Sequence, residues 1–549
     1  MRRLLVSVAG IWLFSVFVSA APQSHAKGSK PAGPHAPATL FQPSDDCLAC
    51  HNNLRTASGE DVSIGADWRA TMMANSSRDP YWQASVRREV ADHASARSAI
   101  EDECSVCHMP MARTLAHANG RTGEIFAHLP VAPSPKIETT LAHDGVSCTA
   151  CHQITNQKLG TAESFTGGYV IDVTTPAPRP MFGPFQIDKG RTTIMRSSSG
   201  FQPIESTHIQ QSELCATCHT LYTTALDAQG REIGRLPEQM PYLEWRHSDF
   251  AATDSCQACH MPPVPEDTPI ASVLGEPRRL ARHFFRGGNF FVLRMLNQYR
   301  NELGVAALPA ELERTAARTV QHLQSETAAA DIEQAVLDGA GHLQIDVHVQ
   351  NKSGHKFPTG YPSRRAWLHL VVRDAGGRIA FESGAVAADG QIDGNDNDRD
   401  PRTFEPHYAQ ITRRDEVQIY ESVMVDAGGI PTTGLLSAVR FGKDNRLLPR
   451  GFDKGSAVPD IAVVGEASAD ADFVGGGDHV RYLVDVVPGG AYDVDVELRF
   501  QPIAYRWAQN LKPYDSSESR RFVSYYDSMA PASSEVLARS TARASSSNR

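Results

Sequence analysis

The chain has 549 residues, with 53 Lys and Arg against 63 Asp and Glu and a formal charge of −10. That length accommodates two or three domains, each with a core of its own. The acidic balance disfavours a nucleic-acid binder, which needs a basic face.

In chain order, residues 1–20 place two arginines before an apolar run ending at Val18-Ser19-Ala20, the layout of a cleaved export signal. No later segment is apolar for long enough to cross a bilayer. We therefore expect a protein exported to the periplasm or the extracellular surface, with no transmembrane segment after cleavage. Outer-membrane or surface association is compatible with this. Residues 21–43 read as a flexible leader.

Residues 44–284 contain all ten cysteines, in five C-x-x-C-H units: Cys47/Cys50/His51, Cys104/Cys107/His108, Cys148/Cys151/His152, Cys215/Cys218/His219 and Cys256/Cys259/His260. This is the attachment signature of c-type haem. Two thiols add to the vinyl groups on one porphyrin edge, and the next residue lies under the ring, where its imidazole reaches the iron. Structural zinc uses C-x-x-C pairs in twos, and five units do not pair evenly. A thioredoxin-type motif appears once, beside a βαβ pattern. Disulfides give no reason for five trailing histidines. The cofactor expectation is five covalently bound haem c. So many porphyrins in so short a segment become its core, among short helices that carry the motifs, irregular chain and little sheet.

The ligand opposite each motif histidine decides between an electron carrier and an open, reactive iron. First candidates are His93, on the approach to the second motif, His128 between apolar neighbours, and His208, seven residues before CATCH. His247 and His283 are flanked by aromatics, and Arg279 and Arg282 stand ready for haem propionates. His143, in HDGVSCTACH, is a sixth candidate and suits a neighbouring haem better than its own: five extended residues reach at most about 17 Å. His117 lies in a polar turn and reads as surface. Met72 and Met73 read as packing residues.

Beyond 284 the pattern changes. Residues 285–340 read as a helical connector, with one helix at NFFVLRMLNQYRNELG (289–304) and another at PAELERTAARTVQHLQSETAAADIEQ (309–334). Residues 341–535 read as a β-rich domain. Segments 342–351, 366–374, 415–426, 479–487 and 492–500 carry strand signals, and Leu343, Ile345, Val347 and Val349 share one face. Two stretches here bear on chemistry. NKSGHKFPTGYPSRR (351–365) offers His355 as a ligand, with Arg364 and Arg365 for propionates, or else is a plain turn. DGQIDGNDNDRD (389–400) has oxygens for Ca2+ if they converge. Residues 536–549 read as a disordered tail.

The fold class expected is α+β and multidomain: a haem-packed, mainly helical or irregular N-terminal domain, the helical connector, and an antiparallel β-sandwich-like C-terminal domain. Residues 65–300, with DPYW, DGVSCTACH, SELCATCHT and RHFFRGGNFF, resemble the multihaem c-type cytochromes related to cytochrome c-554 and hydroxylamine oxidoreductase. The resemblance implies periplasmic or surface electron transfer with other redox proteins or cytochromes as partners. There are five motifs here against eight in hydroxylamine oxidoreductase, so the catalytic haem of that family does not map onto a particular motif and its enzymatic identity is not carried over. An electron carrier is thus the leading expectation. An oxidoreductase acting on a small nitrogen or sulfur species at one open haem is the first alternative, and a surface-tethered haem module with a binding β domain the second.

Overall fold

The structure is a computed structural model and describes residues 40–545. The expected export signal, most of the expected leader and residues 546–549 lie outside them.

The leader is shorter at its described end than expected. Phe41 is fully buried beside Met111, Leu141 and Ala150. The Thr149 hydroxyl donates to Gln42 O at 2.9 Å. An aromatic side chain that finds an apolar site gains more than the chain entropy it loses.

The haem-motif region is built from short helices. Pro80–Asp92 is the longest at 13 residues, started by Pro80 and by Asp79, whose carboxylate accepts from the Tyr81 and Trp82 amides. The region holds more sheet than expected. β1 (Arg179–Gly183) and β2 (Phe201–Glu205) pair in parallel. β3 (Leu221–Leu226) and β4 (Glu232–Gln239) form a hairpin, and β5 (Thr268–Pro269) pairs with β6 (Pro277–Arg278).

In the connector, the first helix runs over Phe290–Gln298. The second spans Pro309–His322, closes in a π turn at Leu323–Thr327, and gives way to strand β7 (Ala328–Leu337). The expectation of helix to residue 334 is corrected here. Ala328–Ala330 favour helix by propensity, but pairing along β8 (His342–Asn351) overrides it.

The remaining strands are β9 (Arg365–Asp374), β10 (Ile379–Ser383), β11 (Gln410–Ile411), β12 (Ile419–Val425), β13 (Arg440–Asp444), β14 (Gly477–Asp485), β15 (Ala491–Gln501) and β16 (Glu535–Ser545). One sheet runs β13-β12-β9-β15-β16, with β10 on β9; the other runs β11-β14-β8-β7. All pairings in these two sheets are antiparallel except β11 with β14. Leu343, Ile345, Val347 and Val349 of β8 share one core with Leu368, Leu370, Val494, Val496 and Leu498 of the facing sheet. β16 corrects the tail: residues 535–545 pair with β15 along their length.

The halves are joined by packing as well as by chain. Phe290, Phe291 and Leu312 enter the core of the β sheets. Helix Ser517–Met529 lies on helix Pro80–Asp92: Phe522 is 5.0 Å from Tyr81, and Glu518 pairs with Arg87 at 2.9 Å.

Candidate metal centres

Each C-x-x-C-H unit starts on a helix: Ser44–Leu48 at the first, then Arg97–His108, Cys148–Cys151, Ser212–Ala216 and Cys256–His260. Helical spacing brings cysteines three apart onto one face, and the histidine follows a turn below. The His51, His152 and His219 amides donate to Cys47 O, Cys148 O and Cys215 O at 3.0, 3.0 and 2.9 Å. In HDGVSCTACH the turn before the helix needs glycine: Gly145 has φ +61°, and a Cβ there would lie 2.7 Å from Met73 O.

In the first unit, as in the fourth, the helix ends before the second cysteine. The first helix ends at Leu48, so Cys50 lies in the turn beyond it. Its carbonyl is taken by a distant residue: Ser272 donates to Cys50 O from its amide at 2.8 Å and from its hydroxyl at 3.1 Å. A carbonyl engaged outside the helix is a natural place for it to stop. The Cys50 amide still donates to Cys47 O at 3.1 Å, and this tighter i to i−3 bond keeps the two cysteines within one turn. Cys259 departs in another way, being the one exposed cysteine of the ten.

The five units converge. All ten cysteines are free of disulfides. The thiols of Cys47 and Cys148 are neighbours that influence each other's ionisation, as are those of Cys107 and Cys218 and those of Cys215 and Cys256. At the first unit this contact runs through Cys47. Cys151 lies within electrostatic reach of Cys218. Unit one therefore adjoins three, three adjoins four, and four adjoins both two and five. Burial pushes the Cys151 thiol up to about 12, and Cys104 rises too, by burial first and then by Glu103 and Glu89. Thioethers carry no ionisable proton, so this clustered chemistry suits covalent attachment.

Four motif histidines are held in one tautomer. His51 Nδ1 donates to Ile270 O at 2.7 Å, His108 Nδ1 to Ser76 O at 3.1 Å, His152 Nδ1 to Phe182 O at 2.6 Å, and His260 Nδ1 to Arg286 O. A carbonyl only accepts, so the proton sits on Nδ1 and the Nε2 lone pair is left for a metal. Burial pushes the His108 imidazole down to about 4, and burial followed by the neighbouring His355 does the same at His260. Both are neutral ligands at physiological pH. His108 also stacks on Trp82, with centroids 4.3 Å apart. Two thiols beside an imidazole with Nε2 free is the donor set haem c requires, so the residues fit the group.

The same tautomer test sorts the expected distal histidines. His283 Nδ1 donates to Ala281 O at 3.0 Å, leaving Nε2 free. It lies within electrostatic reach of His152 and His51, and its pKa is pushed down to about 4, mainly by burial. His355 Nδ1 donates to Lys356 O at 3.0 Å, and its ring centre stands 6.1 Å from that of His260, with planes 17° apart. Two metal–imidazole bonds of about 2 Å each, plus the offset from nitrogen to ring centre, span about that distance. His128 bonds the Thr139 hydroxyl through Nδ1 at 3.1 Å.

Four others are given different partners. His208 Nε2 donates to Ile154 O at 2.8 Å, His143 Nε2 to His128 O at 2.6 Å, and His247 Nε2 to Asp453 O at 3.0 Å. Each carries its proton on the nitrogen that would bind iron. His93 donates from Nδ1 to Asp227 O at 3.3 Å, and its Nε2 faces the Ser437 hydroxyl at 3.4 Å. His208 instead packs edge-on against Phe182, whose carbonyl holds His152. His117 pairs with Asp102 at 2.6 Å.

One histidine escaped sequence reasoning. His322 ends the second connector helix, outside the motif-bearing segment, yet its ring is 6.5 Å from that of His260. Its place on a helix far from the motifs along the chain gives no spacing signal that links it to them.

The loop bearing His355 is clamped to the helix Pro241–Arg246. Glu244 accepts from the Lys356 amide at 3.1 Å and the Thr359 hydroxyl at 2.6 Å, and pairs with Arg446 at 2.9 Å. Lys356 in turn pairs with Asp444 at 2.8 Å. The two arginines separate: Arg365 is buried on Asp398 at 2.8 Å. Arg364 donates to Thr359 O at 2.7 Å, and burial pushes it down to about 10. His219 feels its charge. Arg282, expected at propionates, binds Asp67 at 2.7 Å and Glu60. In the acidic stretch 389–400, Asp398 meets Arg365, Asp396 meets Arg399 and Asp400 meets Arg402. Its oxygens diverge, and the convergence Ca2+ needs is not formed.

Comparison with known proteins places this geometry in a fold. No family model and no curated protein matches the chain. A solved structure does: the penta-heme cytochrome c552 from Thermochromatium tepidum, 17% identical, with a TM-score of 0.53 over 92% of this chain and 99% of that one. The chain thus shares the fold of a multihaem cytochrome.

Proposed function

We propose that the chain is an exported pentahaem c-type cytochrome, of the kind related to cytochrome c-554 and hydroxylamine oxidoreductase, that passes electrons between redox partners. The observation that carries this is the convergence of five C-x-x-C-H units, four with the imidazole held as a ready ligand. The ten cysteines hold the five haems, and His51, His108, His152, His219 and His260 bind their irons. His355 would be the second ligand opposite His260, His283 would ligate one iron of the His51 and His152 haems, and His128 stands as a third distal ligand. Arg364 balances propionate charge near the fourth unit. Bound haem supplies one-electron redox chemistry. The protein's part is to hold the groups close, fix the ligand tautomers and exclude water. A pyridine haemochrome assay on the protein matured with haem should return five haems per chain; two or fewer would refute the reading.

A second reading has one observation behind it. The groups placed beside His108 are Trp82 and Ser76, and the charge beside His219 is Arg364, with no distal imidazole at ring-contact distance from either among the described residues. An iron left open there would make the protein an oxidoreductase for a small anion. Carbon monoxide shifting the reduced spectrum would favour it; an unchanged spectrum would favour a pure carrier.

A further inference from the structure

The solvent face of the sheet β11-β14-β8-β7 carries a group of side chains that haem binding does not use. His348 on β8 and His479 on β14 are register partners across an antiparallel pair. Their rings lie parallel, 3° apart in tilt, with centroids 4.3 Å apart. On the next strand the register slips between Ile332 and Gln334, so Glu333 is the extra residue of a bulge. The bulge turns its carboxylate toward the two rings: His348 Nδ1 is 3.7 Å from Oε1, and His479 Nε2 is 3.6 Å from Oε2.

We infer that Glu333, His348 and His479 form a binding site for a divalent transition-metal ion of the Zn2+ class, separate from the haem irons. One ligand atom from each residue lies within 4.8 Å of the others. Ligands at about 2.0–2.1 Å around a tetrahedral ion stand roughly 3.4 Å apart, and each imidazole nitrogen already lies within 3.7 Å of one or other oxygen of the Glu333 carboxylate. Two nitrogens and a carboxylate oxygen suit a borderline ion better than Ca2+ or Mg2+. Asp331, opposite His348 in the β7–β8 register, and Asp472, within electrostatic reach of His479, add negative charge around the triad. Two local changes are required: one of the parallel rings has to turn about its side-chain torsions, so that the two in-plane lone pairs meet at one point. Gln350 donates to His348 Nδ1 at 3.2 Å, and its exposed-face amide has to rotate away to free that lone pair. The three residues belong to strands of one sheet, which fixes their backbones beside one another, and three protein ligands leave a fourth position for water or a partner's side chain.

The test uses the full, haem-loaded chain. After a chelator wash, the protein is incubated with excess Zn2+, desalted, and zinc and iron are measured together. One zinc per chain is expected beside the haem iron, and a variant carrying both His348→Ala and His479→Ala should retain less than a tenth of it. Wild type that retains no zinc, or a double variant that retains as much as wild type, overturns the site. Because losing two strand residues could disturb folding, Glu333→Gln on the bulge is measured as well, with an unchanged Soret spectrum and thermal midpoint as the folding control. It should weaken zinc binding by at least about tenfold, and unchanged affinity would count against the triad.

Discussion

A histidine that binds iron through Nε2 must place its other nitrogen somewhere, and in the proposed reading that partner separates ligand from bystander. His283 and His355 donate from Nδ1 to carbonyls, whereas His143, His208 and His247 donate from Nε2. Replacing His355 with alanine should turn one haem in five high-spin in low-temperature EPR, while His322→Ala should leave the signal of wild type. The opposite result would move the ligand to the connector helix. A second prediction concerns Asp478. Its Oδ2 accepts from Tyr420 at 2.8 Å and Gln418 at 3.1 Å, its Oδ1 has no partner, and burial, then Asp470, push it up to about 7. The folded state thus holds this proton more tightly than the unfolded chain, whose carboxyl titrates near about 3.9. The stabilisation is full below that value and is lost as pH rises through about 7. Asp478→Asn should flatten the fall in stability between those limits by on the order of 4 kcal/mol, read from denaturant midpoints across pH.

At the scale of elements, the strands that alternate strongly were legible in the sequence. The expected segments at 342–351, 366–374 and 492–500 fall on β8, β9 and β15. Ile345 is fully buried in β8, and Ile345→Ala should lower unfolding free energy by about 2–5 kcal/mol in denaturant titration. The elements that were missed lack such a pattern. β16 buries little beyond Leu537 and Ala544, and its sequence of Ser, Thr, Ala and Arg reads as tail. What orders it is main-chain pairing with β15, which depends on another segment's position. Ending the chain after Ser534 should expose the β15 edge, lower the thermal midpoint and promote aggregation visible by light scattering. Helix Ser517–Met529 was missed for a related reason: Phe522, Tyr525, Tyr526 and Met529 form an apolar stripe that needs a partner surface to become a helix face.

Across the whole molecule, that partner surface is the motif-bearing half. Tyr299 stacks on Tyr525 at 3.5 Å, Glu89 accepts from the Leu435 amide at 2.8 Å, and the His355 loop reaches the fifth unit. A chain ending at residue 340 should therefore fail to give the haem spectrum of the full protein, and refolding it with haem should not restore one fifth of the low-spin signal, since His355 is absent. The sequence alone determined the cofactor class, because C-x-x-C-H is a local geometry complete within five residues, and it determined the strands whose faces alternate. Tertiary structure decided which histidines keep Nε2 free, that Cys50 leaves the first helix to meet Ser272, that Arg365 and Arg282 answer carboxylates while Arg364 does not, and that the five units form one cluster. Those outcomes rest on contacts between residues tens to hundreds of positions apart, and neither local spacing nor composition encodes which carbonyl, carboxylate or ring the folded chain brings alongside.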